Sequence, residues 1–337
     1  MVASLGLRAS SLRMVLRGEN LDLSTYTVTP RMSTRTTEAQ VSPALVYRRF
    51  SEGATIVLES LHKFWQPLTD FCRELELALG HRLQVNAYVT PPGSQGFSTH
   101  RDDHDVFILQ ISGVKHWVVY DEQDEKRVLV DHVLRPGACL YIPKGFPHEA
   151  STAEQASAHL TVGVLTHRSI EILEVLTKLA AAEPAFQERI PRRATGDIER
   201  LSEWIGRYLE EVRLWLDKVD IDELTERMAR RMMTSAQPIL RGQLQQFELL
   251  REIGDETSLI RRRGAICALF PTSQGLKVLL VDRELKMPLI ARPAMEEIAR
   301  RQQLQVKDLY PLLDRDGALV LVRRLIREGL LEVAIGG

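Results

Sequence analysis

Residues 96–121 read GFSTHRDDHDVFILQISGVKHWVVYD, with His100, Asp102 and His104 two residues apart ahead of the apolar run Val106, Phe107, Ile108 and Leu109. Side chains two apart on a strand share a face. Imidazole and carboxylate on a face that borders a core are costly unless something pairs them, and a bound cation is one such partner. His148 follows 46 residues after Asp102, within GACLYIPKGFPHEA. There Gly137 opens a strand, and Pro143 and Gly145 make a turn that would bring the distal imidazole beside the first strand. Two imidazoles and a carboxylate form the facial triad that suits non-haem Fe(II), leaving open positions on one side of the metal. His-x-Asp alone arises often by chance, and the framed His148 is what makes the set specific. His104 shares the expected face with His100 and competes with it as a ligand; His116, His132 and His159 are further candidates. His100 is preferred because it comes first after the loop PPGSQGFST, where the mouth of a site would lie.

The elements that must position these residues are mostly short strands. Up to about residue 168 the chain alternates β-like runs (LQVNAYV, DVFILQI, KHWVVYD, ACLYIP, AHLTVGVL) with turn stretches such as TPPGSQG and PKGFP. Many short strands at such spacing argue for an all-β barrel or jelly roll. One helix interrupts them in SLHKFWQPLTDFCRELELALG, where Leu61, Phe64, Trp65, Leu68, Phe71, Cys72, Leu75 and Leu79 recur at helical spacing and Gly80 is the stop. From 169 to 250 the texture is helical. DIERLSEWIGRYLEEVRLWL puts Ile198, Leu201, Trp204, Ile205, Tyr208, Leu209, Val212 and Leu216 on one broad stripe. Residues 251–337 begin with a hairpin, AICALFPTSQGLKVLLVD, turning at Gly275, and continue as three short helices, the outline of a winged-helix module.

Taken together, NAYVTPPGSQGFSTHRDDHDVFILQISGVKHWVVY and GACLYIPKGFPHEA resemble the JmjC-type ribosomal oxygenases of the cupin superfamily, which depend on Fe(II) and 2-oxoglutarate. The second cupin motif, Gly-x5-Pro-x-Gly-x2-His, is matched by Gly137, Pro143, Gly145 and His148. The resemblance implies a mixed α+β protein in three parts. These are a double-stranded β-helix catalytic domain (1–168), a helical dimerisation region (169–250) and a C-terminal winged helix (251–337). It implies that His100, Asp102 and His148 hold Fe(II), and that Lys115, fifteen residues after His100, receives the far carboxylate of 2-oxoglutarate, with Arg101 as the next candidate. Asn86, Tyr88 and Thr90 alternate on the preceding strand and could supply hydrogen bonds, Asn86 foremost; His159 and Thr161 share a face that could contact the same pocket. Two features depart from the family. More sequence usually precedes its first catalytic strand, which points to a truncated start or rearranged first strands here. His104 also stands where an apolar residue occurs in the family.

Bulk composition bounds the partners. The 337 residues are 44% apolar and 26% charged with a net charge of −1, so no whole-protein field recruits nucleic acid or an anionic membrane. Cys72, Cys139 and Cys267 lie far apart, which indicates neither a disulfide framework nor a cysteine zinc site, and a reducing, cytoplasmic setting is expected. No apolar run approaches a membrane span. Arg8, Arg13 and Arg17, with no acid before Glu19, read as a basic N-terminal arm rather than a transit peptide. The expected reaction is hydroxylation of a ribosomal-protein side chain, arginine or histidine, by a homodimer. The same chemistry on a peptide or small molecule is an alternative, and so is a cupin sensor whose winged helix binds DNA. Against the sensor, residues 251–337 carry 15 basic and 12 acidic residues, and the longest helical run of the module begins with Asp314 and Asp316. Recognition helices present their N-terminal residues to base edges, so sequence-specific nucleic-acid binding is not expected.

Overall fold

The computed structural model describes residues 8–29, 39–233 and 238–334. The chain divides into two compact units, Met1–Thr166 and His167–Gly337. The first contains strands β1 (Leu12–Leu16), β2 (Glu19–Asn20), β3 (Thr27–Val28) and β4 (Gln40–Val41), helix α1 (Pro43–Ser51) and β5 (Thr55–Leu58). Helix α2 (Gln66–Leu79) follows, then β6 (Arg82–Thr90), β7 (Asp105–Ser112), β8 (Lys115–Tyr120), β9 (Val128–Leu134), β10 (Cys139–Ile142), β11 (His148–Ser151) and β12 (Ser157–Leu165). A seven-stranded sheet runs β10-β7-β12-β6-β5-β1-β2 and a three-stranded sheet runs β11-β8-β9, both with antiparallel neighbours.

Period-two alternation sorts the residues of the large sheet between two cores. Leu83, Val85 and Ala87 of β6 join Leu12, Met14, Ile56, Val162, Val164 and the α2 residues Leu68 and Cys72 on one side. The other side, toward Ile108, Trp117, Val119 and Ile142, carries polar residues. Strand register lines these up in rungs: Arg13, Val57, Tyr88 and His159 stand opposite one another across four strands, and Asn86, Thr161 and Ile108 form the adjacent rung. The chemistry-bearing face of the sheet is therefore the one lined by Tyr88 and His159.

Two expectations are corrected in this unit. The basic N-terminal arm is in part a strand: β1 pairs with β5 and buries Leu12, Met14 and Val15. Arg17 and Gly18 make the two-residue turn to β2, both with positive φ (53° and 86°), and the Gly18 N–H donates to the Gly96 carbonyl (3.1 Å). Such mirror-image turns match the twist of a hairpin. The helix expected from Leu61 starts later, because Pro67, which has no N–H to give, occupies its first turn. Phe64 and Trp65 thus precede the helix and are exposed, while Leu61, Leu68 and Cys72 are buried.

The second unit contains α3 (Ile170–Ala180), α4 (Ile198–Leu216), α5 (Ile221–Met233) and α6 (Gln243–Leu249). It continues with β13 (Ser258–Arg261), β14 (Ala268–Thr272), β15 (Gly275–Leu279), β16 (Glu284–Met287), α7 (Arg292–Arg300), β17 (Gln303–Gln305), α8 (Arg315–Arg327) and β18 (Leu331–Val333). The hairpin turns where expected, with Thr272 opposite Gly275, and gains β16 as a third strand. A second small sheet, β17-β13-β18, was not legible in the sequence, since its strands are only three or four residues long. Ala318, Leu319, Leu321, Val322, Leu325 and Ile326 of α8 are all buried in the core of this unit. Helix α4, capped by the Asp197 carboxylate, buries none of its residues.

Candidate metal centre

His100 and His148 are held together by the backbone. His100 N–H donates to the His148 carbonyl (3.1 Å) and His148 N–H to that of His100 (2.9 Å), an isolated two-residue bridge that sets the rings 4.4 Å apart. Each Nδ1 meets a carbonyl two residues back, Ser98 for His100 (2.9 Å) and Phe146 for His148 (3.0 Å). A carbonyl only accepts, so each Nδ1 carries the proton and each Nε2 keeps a lone pair for a ligand. Asp102 is drawn in by its own carbonyl, which accepts from the Gly145 N–H (3.0 Å), and its Oδ2 lies 3.7 Å from His148 Nε2. One ligand atom of each residue lies within 4.8 Å of the others. Burial holds the His148 imidazole below its ordinary pKa, which keeps it neutral and able to bind metal.

His104 is not in this cluster. The segment from Arg101 to His104 is irregular and β7 begins only at Asp105, so the two-residue period does not carry through it. His104 Nδ1 lies 2.8 Å from the Asp103 carboxylate, and its ring packs on β12 so closely that a Cβ on Gly163 would meet Nε2 at 2.5 Å. His100 and Asp102 converge through the bridge to His148 and the turn at Gly145, not through the pleat of one strand. His116 pairs with Asp131 (2.5 Å) and His132 is exposed.

The three ligand candidates open into a cavity of about 220 Å³. Lys115, Tyr88, His159 and Thr161 line it, together with Arg13, Phe97, Trp117, Ile108 and Ala150, which the sequence reasoning missed. Trp117 had a signal, two residues after Lys115 on an alternating strand. Arg13 had none. Lys115 is 4% exposed, its Nζ donates to Thr90 Oγ1 (3.1 Å), and Thr90 accepts in turn from Thr55 Oγ1 (3.2 Å). No carboxylate among the described residues pairs with it, and burial pushes its ammonium down to about 7. Tyr88 and His159 stack at 4.9 Å with their planes 3° apart, and Trp117 meets His159 edge-on at 5.2 Å. Burial, with the Lys115 charge nearby, holds His159 well below its ordinary pKa, and its Nδ1 is buried with no hydrogen-bond partner among the described residues. Asn86 does not line the cavity: its carboxamide oxygen accepts from the Ser60 N–H (2.9 Å) and ties down the segment after β5. Arg101 points elsewhere, donating to the carbonyls of Glu122 (2.9 Å) and Gly145 (2.8 Å) and to Glu125. A buried cation with no carboxylate partner and an imidazole nitrogen with no hydrogen-bond partner among the described residues line the same cavity as the His–Asp–His cluster, a setting that suits a metal ion and an anionic co-substrate.

Antiparallel sheets bring two histidines and an aspartate together beside one cavity, an arrangement able to hold a metal ion, and residues 61–172 match the JmjC domain family. That match covers about a third of the chain. It is 30% identical over 254 residues to the bifunctional lysine-specific demethylase and histidyl-hydroxylase NO66 of Drosophila simulans, covering 65% of this chain and 30% of that protein. It is 31% identical over 194 residues to ribosomal oxygenase 1 of Danio rerio, covering 52% of this chain and 36% of that one. The chain thus spans about a third of the length of these relatives. Among solved structures, the ribosomal oxygenase YcfD of Escherichia coli, in complex with cobalt and succinic acid, aligns over 96% of this chain and 86% of its own with a TM-score of 0.53 and 18% identity. The same enzyme in complex with cobalt and 2-oxoglutarate aligns with a TM-score of 0.51. At that identity the likeness speaks for the fold.

Proposed function

We propose that the protein is an Fe(II)- and 2-oxoglutarate-dependent oxygenase that hydroxylates a side chain of a ribosomal protein. The observation that carries this reading is Lys115, a buried amine lining the same cavity as His100, Asp102 and His148, which donates to Thr90 and lies over the Trp117 ring but has no carboxylate partner among the described residues. In this reading His100, Asp102 and His148 hold the iron through two Nε2 atoms and a carboxylate oxygen. Lys115 and Thr90 take the far carboxylate of 2-oxoglutarate, and a charge-assisted pair in so dry a site is much stronger than one at the surface. Tyr88, His159 and Thr161 flank the co-substrate. Once bound, iron and 2-oxoglutarate supply the oxidising power for inserting one atom of dioxygen into a C–H bond, with succinate and carbon dioxide as by-products. The chain's own residues bind, orient and exclude water, so the reaction asks for no protein nucleophile or general base.

Histidine is the favoured target over arginine or methylated lysine. Arg13 and Lys115 are the cations facing the cavity and Asp102, engaged by metal in this reading, is its sole acid among the lining residues. A guanidinium or ammonium guest would find no counter-charge, whereas a neutral imidazole suits the stacked aromatic walls. The histidyl-hydroxylase named in the Drosophila simulans relative agrees with this, and its demethylase activity is the second reading.

The second unit is proposed to make a homodimer through α4 and to end in a winged helix that docks protein rather than DNA. On α4, Ile205 and Leu209 are exposed while Trp204 and Tyr208 stack at 5.3 Å. At the start of α8, Asp314 is spent on the Gly317 N–H (2.7 Å), and Arg323 donates to the carbonyls of Leu250 and Ile253 (both 3.2 Å), which leaves little for a duplex. No helix of the described residues is long and apolar enough to cross a membrane, and a cytoplasmic site of action is proposed. The deciding experiment compares ribosomal proteins from cells with and without the gene by mass spectrometry. One side chain should lose the mass of a single oxygen atom when the gene is absent, and mapping it decides between histidine and arginine. Identical masses in both strains would move the substrate to the small-molecule or peptide alternative.

A further inference from the structure

The cavity holds two cations in different surroundings. Lys115 is buried, while the Arg13 side chain is one-third exposed (33%) and reaches the cavity from the N-terminal hairpin. The rung Arg13–Val57–Tyr88–His159 crosses three strand-to-strand steps. At about 4.8 Å per step, Arg13 starts about 14 Å of backbone from His159, beside which Lys115 lies. A five-carbon co-substrate held at Lys115 therefore leaves Arg13 on the outer, entrance side.

The Arg13 guanidinium lies over the Phe97 ring at 5.3 Å, and that ring is 5.4 Å from the His100 ring and 5.9 Å from that of Tyr88. The cation is thus built into the wall that contacts a metal-ligand candidate. Its hydrogen-bonding capacity is only partly used. One Nη donates to Asn20 Oδ1 (3.1 Å), and Nε is 3.0 Å from Glu59 Oε1 but is not aligned for a hydrogen bond. A guanidinium has five N–H donors and accepts nothing. Glu59, at 34% side-chain exposure, offsets the charge without filling the donors that face the cavity.

We propose that Arg13 is a substrate-binding residue of the oxygenation reaction, donating to a main-chain carbonyl of the peptide next to the residue that enters the cavity. The inference rests on the proposed peptide-oxygenase reading and adds a determinant that lies outside the metal and co-substrate motifs. The hairpin carrying Arg13 is fastened to the loop leading into His100 through the Gly18–Gly96 hydrogen bond, so a peptide gripped by Arg13 is referenced to the metal centre.

The test uses the full-length Fe(II)-loaded protein as wild type, Arg13→Met and Arg13→Lys. The probe is a pair of synthetic peptide libraries with a central histidine or arginine in otherwise mixed sequence, and oxygen incorporation is read by mass spectrometry at varied peptide concentration. A second readout is the visible charge-transfer absorption of the Fe(II)–2-oxoglutarate complex, titrated with 2-oxoglutarate in the absence of peptide. Arg13→Met should raise the apparent KM for peptide at least about tenfold, with kcat reduced much less, and Arg13→Lys should recover part of the loss. The 2-oxoglutarate titration should stay within about twofold of wild type in both. Unaltered peptide KM in Arg13→Met, or a shifted 2-oxoglutarate titration with normal peptide KM, would overturn the assignment to substrate while leaving the oxygenase reading intact. A wild type that oxidises neither library nor whole ribosomal protein would sink the oxygenase reading itself, and Arg13 with it.

Discussion

At the scale of single residues, His148 and Lys115 allow the metal and co-substrate halves of the proposed site to be tested separately. His148→Ala removes an Nε2 donor from the cluster and should reduce 2-oxoglutarate turnover to background with the far-ultraviolet circular dichroism unchanged. Normal turnover at full iron occupancy would show that another residue ligates the metal. Lys115→Ala should keep iron binding and lose co-substrate affinity, since one partner of a buried charge pair is worth on the order of 2–5 kcal/mol. The same lysine predicts a pH dependence. In the empty protein its ammonium titrates near 7 against an ordinary 10.5. An incoming carboxylate raises that value, so binding takes up a proton above pH 7 and none below it. The KM for 2-oxoglutarate should therefore be lowest below about 7 and climb as pH rises, by at most about tenfold per unit. Stability of the empty protein runs the other way: the unfolded chain binds more protons between 7 and 10.5, so this lysine's penalty is full below 7 and fades as pH rises toward 10.5. A KM flat from pH 6.5 to 9 would mean that Lys115 is not the carboxylate's partner.

At the scale of elements, the turn before β11 governs the geometry of the triad. Gly145 has φ of +85°, and its N–H donates to the Asp102 carbonyl. An alanine there would bear a left-handed penalty of about 1 kcal/mol, and its Cβ would meet Glu122 Oε1 at 2.9 Å. The Glu122 side chain can move aside, so Gly145→Ala should fold. Its turn should loosen, however, and weaken iron binding by several-fold in a metal titration, more than it lowers Tm. The glycine–proline framing of His148 was legible in the sequence because a turn is a local event. The expectation at His104 failed for a matching reason: period-two inference needs an unbroken strand, and this one starts at Asp105, after the residues it was meant to orient.

At the scale of the whole molecule, the second unit leaves several large apolar side chains of α3 and α4 exposed, among them Leu173, Ile205 and Leu209. Leu209 is 58% exposed on α4, next to the ring set of Trp204, Tyr208, Phe186 and Trp215. Aromatic anchors of this kind mark interface centres. Multi-angle light scattering should give twice the chain mass at micromolar concentration, and Leu209→Glu should shift it toward the monomer with little change in Tm for the first unit. A monomer mass for the unmodified protein would end the dimer proposal.

Local spacing offered His100, Asp102 and His148 as ligand candidates, with His104 as a competitor, and the family resemblance added Lys115. Spacing also carried the buried stripe of α8 and the hairpin at Gly275, because each depends on residues within a turn or two of one another or on a motif of fixed length. Strand pairing decided the rest. Arg13 reaches the cavity because β1 pairs with β5, β5 with β6 and β6 with β12, a register that links residues 13, 57, 88 and 159 across the sheet. Asn86 shares the polar side of β6 with Tyr88, as its alternation predicts, yet its side chain is taken by Ser60, a competitor from the segment after β5. Periodicity tells which side chains of one strand share a face. What stands opposite them, and which polar partner reaches them first, depends on which strands pair and in what register, and non-local contacts made on folding settle both.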